Sequence, residues 1–592
     1  MRIWYFCLRV PFAALVASIF VLLVCMRLKM MQDYSVMLDC GNCLVYPSLW
    51  HETQLMLGML CVDLAARRWL ARGAWLVRLL LLACLLIWVL DFWVLKSFLV
   101  RLDWREAQKF WRDIDSAGFF LRLFASQALW RVMVSALGVL VVLCVAVGYL
   151  RQGRLRHPGW LLPLAGGLFG LSLLFGPEPH FHYVYVRNAL AAFIDPSTLY
   201  REYSAPWVEQ HTPRLRKAAG AKICTAQFVS GPRPVQVVLV VVESLSSYQS
   251  QAFGGIHDWT PQLDRWSAKG RRFTHFLANG KTTEDGLFAL LTGRPAILQS
   301  GRKTVYESDL DPARPTLPQL LYQAGYVTAF MTTGNLAFMQ KGVWLEQIGF
   351  QTISGHDAPF YDGMPRYHFD APVDAALYGN ARQWMRKQAE QPYFLVLETV
   401  SSHQPYFDPI RQKSSIEGAF RYTDAALGDF LDQLEADGFF ENGLVIVTGD
   451  HRAMVPSSAQ ERERLGEDHL SRIPLLMLGH SAPAGRERGY FSQQDLLPSL
   501  QQQLLRGETC RYPGQGLWNE GHTAAAKCVF TARAQHPDSV FMQCGERVRE
   551  VRLEAEDTHF VGLQGPTPYL DAIHVQRMPV HLRPPLNEPA VP

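Results

Sequence analysis

The side chains best suited to chemistry in this chain are two acids, two histidines and a threonine, most of which stand where an apolar run stops. They are Glu243, Thr282, His403, Asp450 and His451. Glu243 ends the run 235–242, and Asp450 and His451 follow the run 444–448 across a single glycine. In an open α/β sheet, ligands bind beyond the carboxyl ends of parallel strands, so residues far apart in sequence converge there. The pattern predicts an enzyme with a metal site.

The elements that must position these residues are short apolar runs that alternate with helical stretches. The predicted strands span residues 235–242, 326–331, 393–400, 444–448 and 473–478. Continuous apolar strands are buried on both faces, as in a mainly parallel sheet with helices on each side. Alternating runs at 539–544 and 548–553 indicate further strands near the carboxyl end. We therefore expect an α/β domain over residues 232–531 and a small β-rich region over residues 532–592.

The chain ahead of this domain has the composition of a membrane protein. A bilayer span needs roughly 20 mostly apolar residues, and the candidate spans cover residues 10–25, 44–65, 75–94, 128–150 and 158–175. The second contains Glu52 and Asp63, so a buried amphipathic helix is the alternative there. We expect an all-α domain of five membrane helices over residues 1–178. The first helix is expected to stay uncleaved, because no small-residue cleavage site precedes Arg27.

The orientation of these spans follows from the basic residues of short loops, which stay in the cytoplasm. The loops after the second and fourth spans each hold three arginines, namely Arg67, Arg68 and Arg72 in one and Arg151, Arg154 and Arg156 in the other. Both loops and the amino terminus are therefore expected inside. The domain after the fifth span would face the periplasm or the exterior of a bacterial cytoplasmic membrane.

Residues 179–231 are interpreted as a linker at the membrane interface. Aromatic side chains recur in this stretch, among them Tyr183, Tyr200 and Trp207, and such residues favour the outer bilayer surface. Packing of these aromatic residues against the following domain is the alternative.

Cysteine usage agrees with an external carboxyl-terminal part. Cys510, Cys528 and Cys544 lie close together in the sequence, and an oxidising compartment permits one disulfide among them. The net charge of +4 comes mostly from scattered residues, so nucleic acid is not expected as a partner.

Four motifs in a fixed order carry a family resemblance. They are Val-Val-Val-Glu243-Ser, Asn279-Gly-Lys281-Thr282-Thr283-Glu284-Asp285, Ser402-His403-Gln-Pro-Tyr406 and Thr448-Gly-Asp450-His451. The ordered set resembles the lipoteichoic acid synthase type of membrane-anchored, sulfatase-like enzyme. That family resembles alkaline phosphatase in fold and has five membrane helices ahead of an external catalytic domain. The resemblance covers most of the chain.

The resemblance implies that Thr282 is the nucleophile and that Glu243, Thr282, Asp450 and His451 bind one divalent metal ion. A threonine hydroxyl is a poor nucleophile near neutral pH, and coordination to a cation is one way to deprotonate it. Two carboxylates, an imidazole and an alkoxide suit Mn²⁺, which we favour, or Zn²⁺, with Mg²⁺ as a further candidate.

The local sequence also allows plainer roles for these residues. Thr282 precedes an apolar helical run and could serve only as an N-cap. Glu243 could be a buried carboxylate paired with a lysine or arginine, and Asp450 with His451 could form a solvated turn. The matching flanks favour the catalytic interpretation.

Two further residues receive substrate-binding roles from the resemblance. His403 falls where the family has a phosphate-binding or proton-transferring histidine, and a histidine that is merely hydrogen-bonded is the alternative. Lys341, in Phe338-Met-Gln-Lys341-Gly, falls where related enzymes contact the phosphate with a basic residue. The match is loose, and a surface lysine is the alternative.

The expected activity is a ping-pong transfer. The resemblance suggests phosphatidylglycerol as donor, a phosphoglycerol unit as cargo and an envelope glycan or lipid as acceptor. A sulfatase using formylglycine is disfavoured, because Thr282 is followed by Thr-Glu-Asp rather than by the Cys/Ser-x-Pro-x-Arg context. The rival functions are a phosphoethanolamine transferase, a phosphodiesterase and a non-catalytic lipid or glycan binder.

Overall fold

The protein divides into two compact units, Met1–Pro196 and Ser197–Pro592. The computed structural model describes residues 24–32, 35, 42–70, 74–98, 101–102, 104, 160–175, 190, 193, 201–219, 229–230, 235–311, 314–388, 391–404, 406–479, 482–506, 516–518, 528–533, 536, 538–545, 547–562, 565, 567–579 and 581.

Among the described residues of the first unit are three long helices, which lie on the second, third and fifth predicted membrane segments. They are α1 (Val45–Trp69), α2 (Ala74–Phe98) and α3 (Leu161–Leu174), and α1 contacts both of the others. The fourth predicted segment and residues 10–23 of the first lie outside the described residues. Within the part of the chain that the structure describes, no helix combines the length and apolar character needed to cross a membrane. The five spans stay a prediction.

The acids that distinguish the second predicted segment are buried in this unit. Glu52 and Asp63 are each 1% exposed, and Glu52 forms an ion pair with Arg27. Asp91 of α2 forms an ion pair with Arg101 at 2.8 Å. These acids therefore face other parts of the protein, as an amphipathic helix within a bundle requires.

The second unit is built on a nine-stranded mixed sheet. Its strands are β1 (Gln236–Val242), β2 (Arg271–Leu277), β3 (Val327–Thr332), β4 (Thr352–Ser354), β5 (Tyr393–Glu398), β6 (Gly443–Gly449), β7 (Arg472–Gly479), β8 (Gly485–Glu487) and β9 (Phe491–Ser492). They lie in the order β8-β2-β7-β6-β1-β5-β3-β4, and β9 also pairs with β2. The pairings are parallel except those of β7, which runs antiparallel to β6 and β2. The predicted mainly parallel α/β sheet is confirmed.

Helices cover both faces of the sheet. They are α5 (Pro261–Ser267), α6 (Thr283–Thr292), α7 (Leu317–Gln323), α8 (Lys341–Gln347), α9 (Asp374–Lys387), α10 (Ile416–Ala436), α11 (Ala459–Leu465) and α12 (Leu496–Leu504), with α4 (Ala205–Ala219) ahead of the sheet. Val237 and Leu239 of β1 lie in one core, with residues of α6, α7, α8 and α12, whereas Val238 and Val240 lie in the other, with residues of α5, α9 and α10. A strand between two cores needs apolar residues at every position, which explains its sequence.

The five predicted strands correspond to β1, β3, β5, β6 and β7, with ends that differ by two residues or fewer. The apolar pattern does not reveal β2, because Arg271, Arg272, Thr274 and His275 interrupt its run. Two short antiparallel pairs complete the unit. They join Val229–Ser230 to Leu505–Arg506 and Phe407–Asp408 to Lys413–Ser414.

The carboxyl-terminal region forms a separate antiparallel sheet, as predicted. It contains β10 (Cys528–Ala532), β11 (Ser539–Cys544), β12 (Arg547–Arg552) and β13 (His559–Phe560) in that order, followed by α13 (Thr567–Arg577). Cys528 and Cys544 face each other across β10 and β11 and form a disulfide. The disulfide that the sequence permits among the three carboxyl-terminal cysteines is therefore formed by these two, and Cys510 lies outside the described residues.

The aromatic residues beside α4 pack against α13. Tyr203 hydrogen-bonds through its hydroxyl to Nδ1 of His574 at 3.0 Å, and the Trp207 ring lies 4.9 Å from the same imidazole. Tyr203 is 8% exposed. For these two aromatic residues the alternative interpretation, packing against the domain, is therefore correct. Tyr183 and Tyr200 lie outside the described residues.

Candidate metal and nucleophile site

The predicted metal ligands meet at the carboxyl ends of two neighbouring parallel strands. Glu243 follows β1, and Asp450 and His451 follow β6. The two strands are paired in register up to Val242 and Gly449, so the residues that come next emerge side by side. His451 Nε2 lies 3.6 Å from Glu243 Oε1 and 3.4 Å from Asp450 Oδ2. One ligand atom from each of the three residues lies within 4.8 Å of the others.

The donor atoms of this cluster are suited to a metal ion. Asp450 and His451 are fully buried, yet Asp450 Oδ2 and His451 Nε2 have no hydrogen-bond partner among the described residues. His451 Nδ1 lies 2.9 Å from the carbonyl oxygen of Arg452 and donates to it, which leaves a lone pair on Nε2. Buried polar atoms rarely stay without partners. Two such atoms on adjacent side chains therefore fit a cation, and the solvated-turn alternative is wrong.

The electrostatics of the cluster point the same way. Burial and the neighbouring charge of Glu243 raise the pKa of Asp450 to about 7. Burial lowers the pKa of His451, but the charges of Asp450 and Glu243, the hydrogen bond to the Arg452 carbonyl and the charge of Asp285 together give a net rise. Two carboxylates that share a buried space repel each other. A divalent cation would relieve this repulsion and displace the protons that the cluster otherwise holds.

Glu243 is oriented by hydroxyl groups. Its Oε1 accepts from Ser244 Oγ at 2.7 Å, and its Oε2 accepts from Thr283 Oγ1 at 3.0 Å. Among the described residues Glu243 forms no ion pair with a lysine or arginine, so that alternative is wrong there. The hydroxyls hold the carboxylate toward His451 and Asp450.

Ser244 carries local backbone strain at the site. Its φ of 58° lies in the left-handed region that serine rarely adopts. This conformation lets the Ser244 N–H donate to Asp450 Oδ1 at 2.7 Å. Strain of this kind costs on the order of 1 kcal/mol and persists where surrounding contacts enforce it. Here the contact holds the carboxylate so that its other oxygen, Oδ2, points toward His451.

Thr282 stands at the amino end of α6, directly beside the metal cluster. Its Oγ1 accepts from the Asp285 N–H at 3.4 Å, so it is the N-cap of the helix. A Cβ on Gly286 would lie 2.2 Å from the Asp450 carbonyl oxygen. Helix α6 therefore packs closely on the loop after β6 that contains Asp450 and His451, here called the metal loop. Glycine is required at that position. The N-cap role is observed, and the nucleophile and ligand roles of Thr282 stay predictions.

Gln493, which the sequence does not single out, connects the metal loop to the loop before α6. That loop runs from Asn279 to the predicted nucleophile Thr282 and is here called the nucleophile loop. Its Nε2 donates to the carbonyl oxygens of Gly449, at 3.1 Å, and Asp450, at 2.5 Å, while its Oε1 accepts from the Asn279 N–H at 2.9 Å. The side chain is fully buried. No local signal marks Gln493, because its partners are backbone groups brought together only by the fold.

His403 is a neutral, half-buried imidazole. Its Nδ1 lies 2.5 Å from the Gln404 carbonyl oxygen and donates to it, so Nε2 is the acceptor. The pKa of His403 is lowered to about 4, mainly by burial. The hydrogen bond to the Gln404 carbonyl opposes this shift, and the charge of His451 adds to it. The Phe369 ring packs against the His403 imidazole in an edge-to-face arrangement, with 4.3 Å between the ring centroids. His403 is therefore near the cluster and unprotonated at neutral pH.

Lys341 is held within the protein. Its Nζ donates to Glu398 Oε1 at 2.5 Å, and the two side chains are 13% and 3% exposed. Met339 and Gln340, with φ of 52° and 56°, turn the chain into α8 just before it. Glu398 precedes Thr399, whose Oγ1 accepts from the Glu243 N–H at 3.0 Å. The surface-lysine alternative is thus wrong, and Lys341 is linked through the end of β5 to the metal cluster.

Several known proteins are similar in sequence to this chain. Residues 236–504 match the Sulfatase family model. The chain is similar to a lipoteichoic acid synthase of Staphylococcus saprophyticus, with 21% identity over 46% of this chain and 46% of that protein. It is also similar to phosphoglycerol transferase I of Escherichia coli, with 24% identity over 50% of this chain and 42% of that protein. The chain thus spans less than half the length of these two relatives.

A solved structure of the lipoteichoic acid synthase LtaP from Listeria monocytogenes is also similar to the chain. It aligns with 19% identity and a TM-score of 0.48, over 62% of this chain and 96% of that one.

Proposed function

We propose that this protein is a metal-dependent phosphotransferase, because residues 236–504 match the Sulfatase family model and the chain is similar to a lipoteichoic acid synthase and a phosphoglycerol transferase. It moves a phosphoglycerol headgroup from phosphatidylglycerol, through a covalent intermediate on Thr282, to an envelope glycan or lipid acceptor. The observation that carries the proposal is a pair of buried atoms that lie 3.4 Å apart near the N-cap Thr282, Asp450 Oδ2 and His451 Nε2. Neither atom has a hydrogen-bond partner among the described residues.

The cluster of Glu243, Asp450 and His451, with the Thr282 oxygen as fourth ligand, would hold one divalent cation, for which Mn²⁺ is favoured over Zn²⁺ and Mg²⁺. Bound there, the cation supplies the positive charge that lowers the pKa of the Thr282 hydroxyl. Backbone N–H groups in the first turn of α6 face an anionic phosphoryl group favourably.

In the first half-reaction the Thr282 oxygen attacks the phosphorus of the donor. A new bond forms between Thr282 Oγ1 and phosphorus, the bond from phosphorus to the diacylglycerol oxygen breaks, and diacylglycerol leaves with the proton that Thr282 lost. In the second half-reaction the oxygen of an acceptor hydroxyl forms a bond to the same phosphorus and the bond between phosphorus and Thr282 Oγ1 breaks. The proton that the acceptor loses returns to Thr282. Neutral His403 has a free Nε2 lone pair to carry protons between these groups. Lys341 contacts the phosphate.

The membrane anchor and external location are part of the proposal. The donor is itself a bilayer lipid, so a tethered enzyme meets it at high local concentration. The disulfide between Cys528 and Cys544 supports a periplasmic or extracellular location, because disulfides persist in oxidising compartments. We place the protein in the bacterial cytoplasmic membrane, with the amino terminus in the cytoplasm.

The function is tested with the full chain in vesicles that contain phosphatidylglycerol labelled in its headgroup. Wild type releases diacylglycerol, Thr282→Ala does not, and Thr282→Ser keeps measurable activity because it retains a hydroxyl. Full headgroup transfer by Thr282→Ala would overturn the mechanism. Rapid appearance of soluble phosphoglycerol without any acceptor would assign a phosphodiesterase instead. Faster use of phosphatidylethanolamine would assign a phosphoethanolamine transferase.

A further inference from the structure

Two buried polar atoms beside the site take no part in the mechanism and have no partner among the described residues. They are Glu398 Oε2 and the Tyr306 hydroxyl. Glu398 is 2% exposed and Tyr306 is 6% exposed. A buried carboxylate oxygen and a buried phenol without partners each cost free energy. Such atoms are expected where a ligand completes the hydrogen bonds.

The two groups lie against the same face of α8. Lys341 donates to the other oxygen of Glu398 at 2.5 Å, and the Trp344 ring stacks on Tyr306 with 4.2 Å between centroids. Lys341 and Trp344 are three residues apart, which places them next to each other on a helix. Glu398 and Tyr306 therefore approach neighbouring positions of one helix face. In agreement, burial raises the pKa of Tyr306, and the charge of Glu398 raises it further.

Both groups are also connected to the catalytic centre. Glu398 is followed by Thr399, which accepts the Glu243 N–H. The charges of Glu284 and Asp285, in the first turn of α6 behind Thr282, act on the Tyr306 hydroxyl as well. The pair is therefore close to Thr282, and we place there the headgroup attached to the phosphorus that Thr282 attacks.

The chemistry of the pair selects a hydroxyl-bearing headgroup. A carboxylate oxygen only accepts hydrogen bonds, whereas a phenol can donate and accept. A diol offers both functions and satisfies both atoms. The charge of Glu398 is already balanced by Lys341, so an ammonium group would find no net negative charge there. The pair therefore suits glycerol better than ethanolamine.

We propose that Glu398 Oε2 and the Tyr306 hydroxyl form a subsite that binds the hydroxyls of the donor headgroup and makes the enzyme selective for phosphoglycerol. This proposal rests on the proposed function, because it assumes that a phospholipid headgroup occupies the site.

The test compares two donors that differ only in hydroxyl groups. Diacylglycerol release is measured from phosphatidylglycerol and from phosphatidylpropanol, whose headgroup has the same carbon count. We expect wild type to prefer phosphatidylglycerol at least about tenfold in kcat/KM, because a site built to bind a hydroxyl rejects the analogue that lacks it. Tyr306→Phe and Glu398→Gln lower this preference by about tenfold each. Tyr326→Phe is the matched control, since Tyr326 is a buried tyrosine just before β3, at the opposite end of that strand from the site.

The outcomes separate the subsite from the function. Partial unfolding lowers activity on both donors by the same factor and cannot change their ratio, so a reduced preference reports the subsite itself. A preference that is unchanged in both variants would overturn the subsite even if wild type uses phosphatidylglycerol well. Wild type that releases diacylglycerol from neither donor would overturn the proposed function itself. Wild type that prefers phosphatidylethanolamine over phosphatidylglycerol would overturn the selectivity.

Discussion

The hydroxyl of Thr283 donates a hydrogen bond to Glu243 Oε2 over 3.0 Å. The preceding residue, Thr282, instead accepts from the Asp285 N–H, and within the described residues its hydroxyl donates to no partner. Two consecutive threonines therefore have different tasks. Thr283 orients the carboxylate of Glu243, whereas the hydroxyl proton of Thr282 is not engaged in a hydrogen bond among the described residues.

Substitution of the two threonines is expected to give effects of different size. Thr282→Ala lowers kcat for diacylglycerol release by about 10³-fold or more, because it removes the nucleophile. Thr283→Ala lowers activity by about 10-fold to 100-fold, the range typical of residues that orient a metal ligand. Thr283→Ser serves as control and keeps near wild-type activity. A larger loss of activity in Thr283→Ala than in Thr282→Ala would exchange the roles assigned to these two residues.

Asp450→Asn is expected to remove the stabilisation that a metal ion provides. A ligand that binds only the folded state raises its stability in proportion to the logarithm of its concentration over Kd. Wild type should gain thermal stability when Mn²⁺ is added, and Asp450→Asn should not. Without metal the variant is at least as stable as wild type, because burial and Glu243 disfavour the charged form of Asp450. The measurement is the unfolding midpoint with and without Mn²⁺, together with metal content by mass spectrometry.

The control for this experiment is Asp432→Asn. Asp432 is 49% exposed on α10 and pairs only with Arg265 at the surface. The Asp432→Asn variant should gain thermal stability on addition of Mn²⁺, as wild type does. An equal response in Asp450→Asn would show that the metal binds elsewhere.

Gln493→Ala is expected to lower activity without contacting the substrate. The side chain connects the carbonyl groups of Gly449 and Asp450 to the Asn279 N–H, so its loss lets the metal loop shift relative to the nucleophile loop. We expect kcat to fall by about 10-fold to 100-fold while KM changes little. Gln503→Ala, at an exposed position of α12, is the control. A Gln493→Ala enzyme with wild-type kcat would show that this connection does not position the site.

Buried histidines are expected to make the protein sensitive to acid. Burial is the main cause that lowers the pKa of His469 to about 3, from an unfolded value near 6.5. Because the folded pKa is depressed, the stabilising contribution is present above pH 6.5 and is lost as pH falls toward about 3. Between roughly pH 7 and pH 5 this histidine should account for a loss of about 2 kcal/mol. His403 and His574, with pKa values of about 4, act in the same direction.

The measurement is the thermal unfolding midpoint of wild type and His469→Gln at both pH values. The variant should be less stable than wild type at pH 7, where it lacks a fitted side chain, but should lose less stability on acidification. Equal losses in the two proteins would mean that His469 is solvated in the folded state.

Much of the metal site follows from the sequence, because its geometry is set by strand ends. The apolar run before Glu243 must be a buried strand, and so must the run before Asp450, so both acids emerge at one edge of the sheet. The order of the four motifs then resembles a family pattern, and this resemblance suggests a role for each residue that its position after a strand does not. Strand β2 escapes this reasoning because its polar residues break the apolar pattern that marks the other strands.

What the sequence cannot show is how the ligands are held. Ser244 has a left-handed backbone conformation but is not glycine or asparagine, so its residue type does not indicate that conformation. Gln493 acts through backbone groups of distant loops, and Lys341 pairs with Glu398 only because the fold brings α8 to the end of β5. These contacts depend on tertiary structure, and the residue types alone would fit many surface positions.

The most direct test of the central claim is the intact mass of the full chain after incubation with Mn²⁺ and either phosphatidylglycerol or phosphatidylethanolamine, followed by peptide mapping. We expect a phosphoglycerol adduct on Thr282 with phosphatidylglycerol and no adduct in Thr282→Ala. A phosphoglycerol adduct on any other residue would show that Thr282 is not the nucleophile, and an ethanolamine phosphate adduct in preference to it would show that phosphatidylglycerol is not the donor.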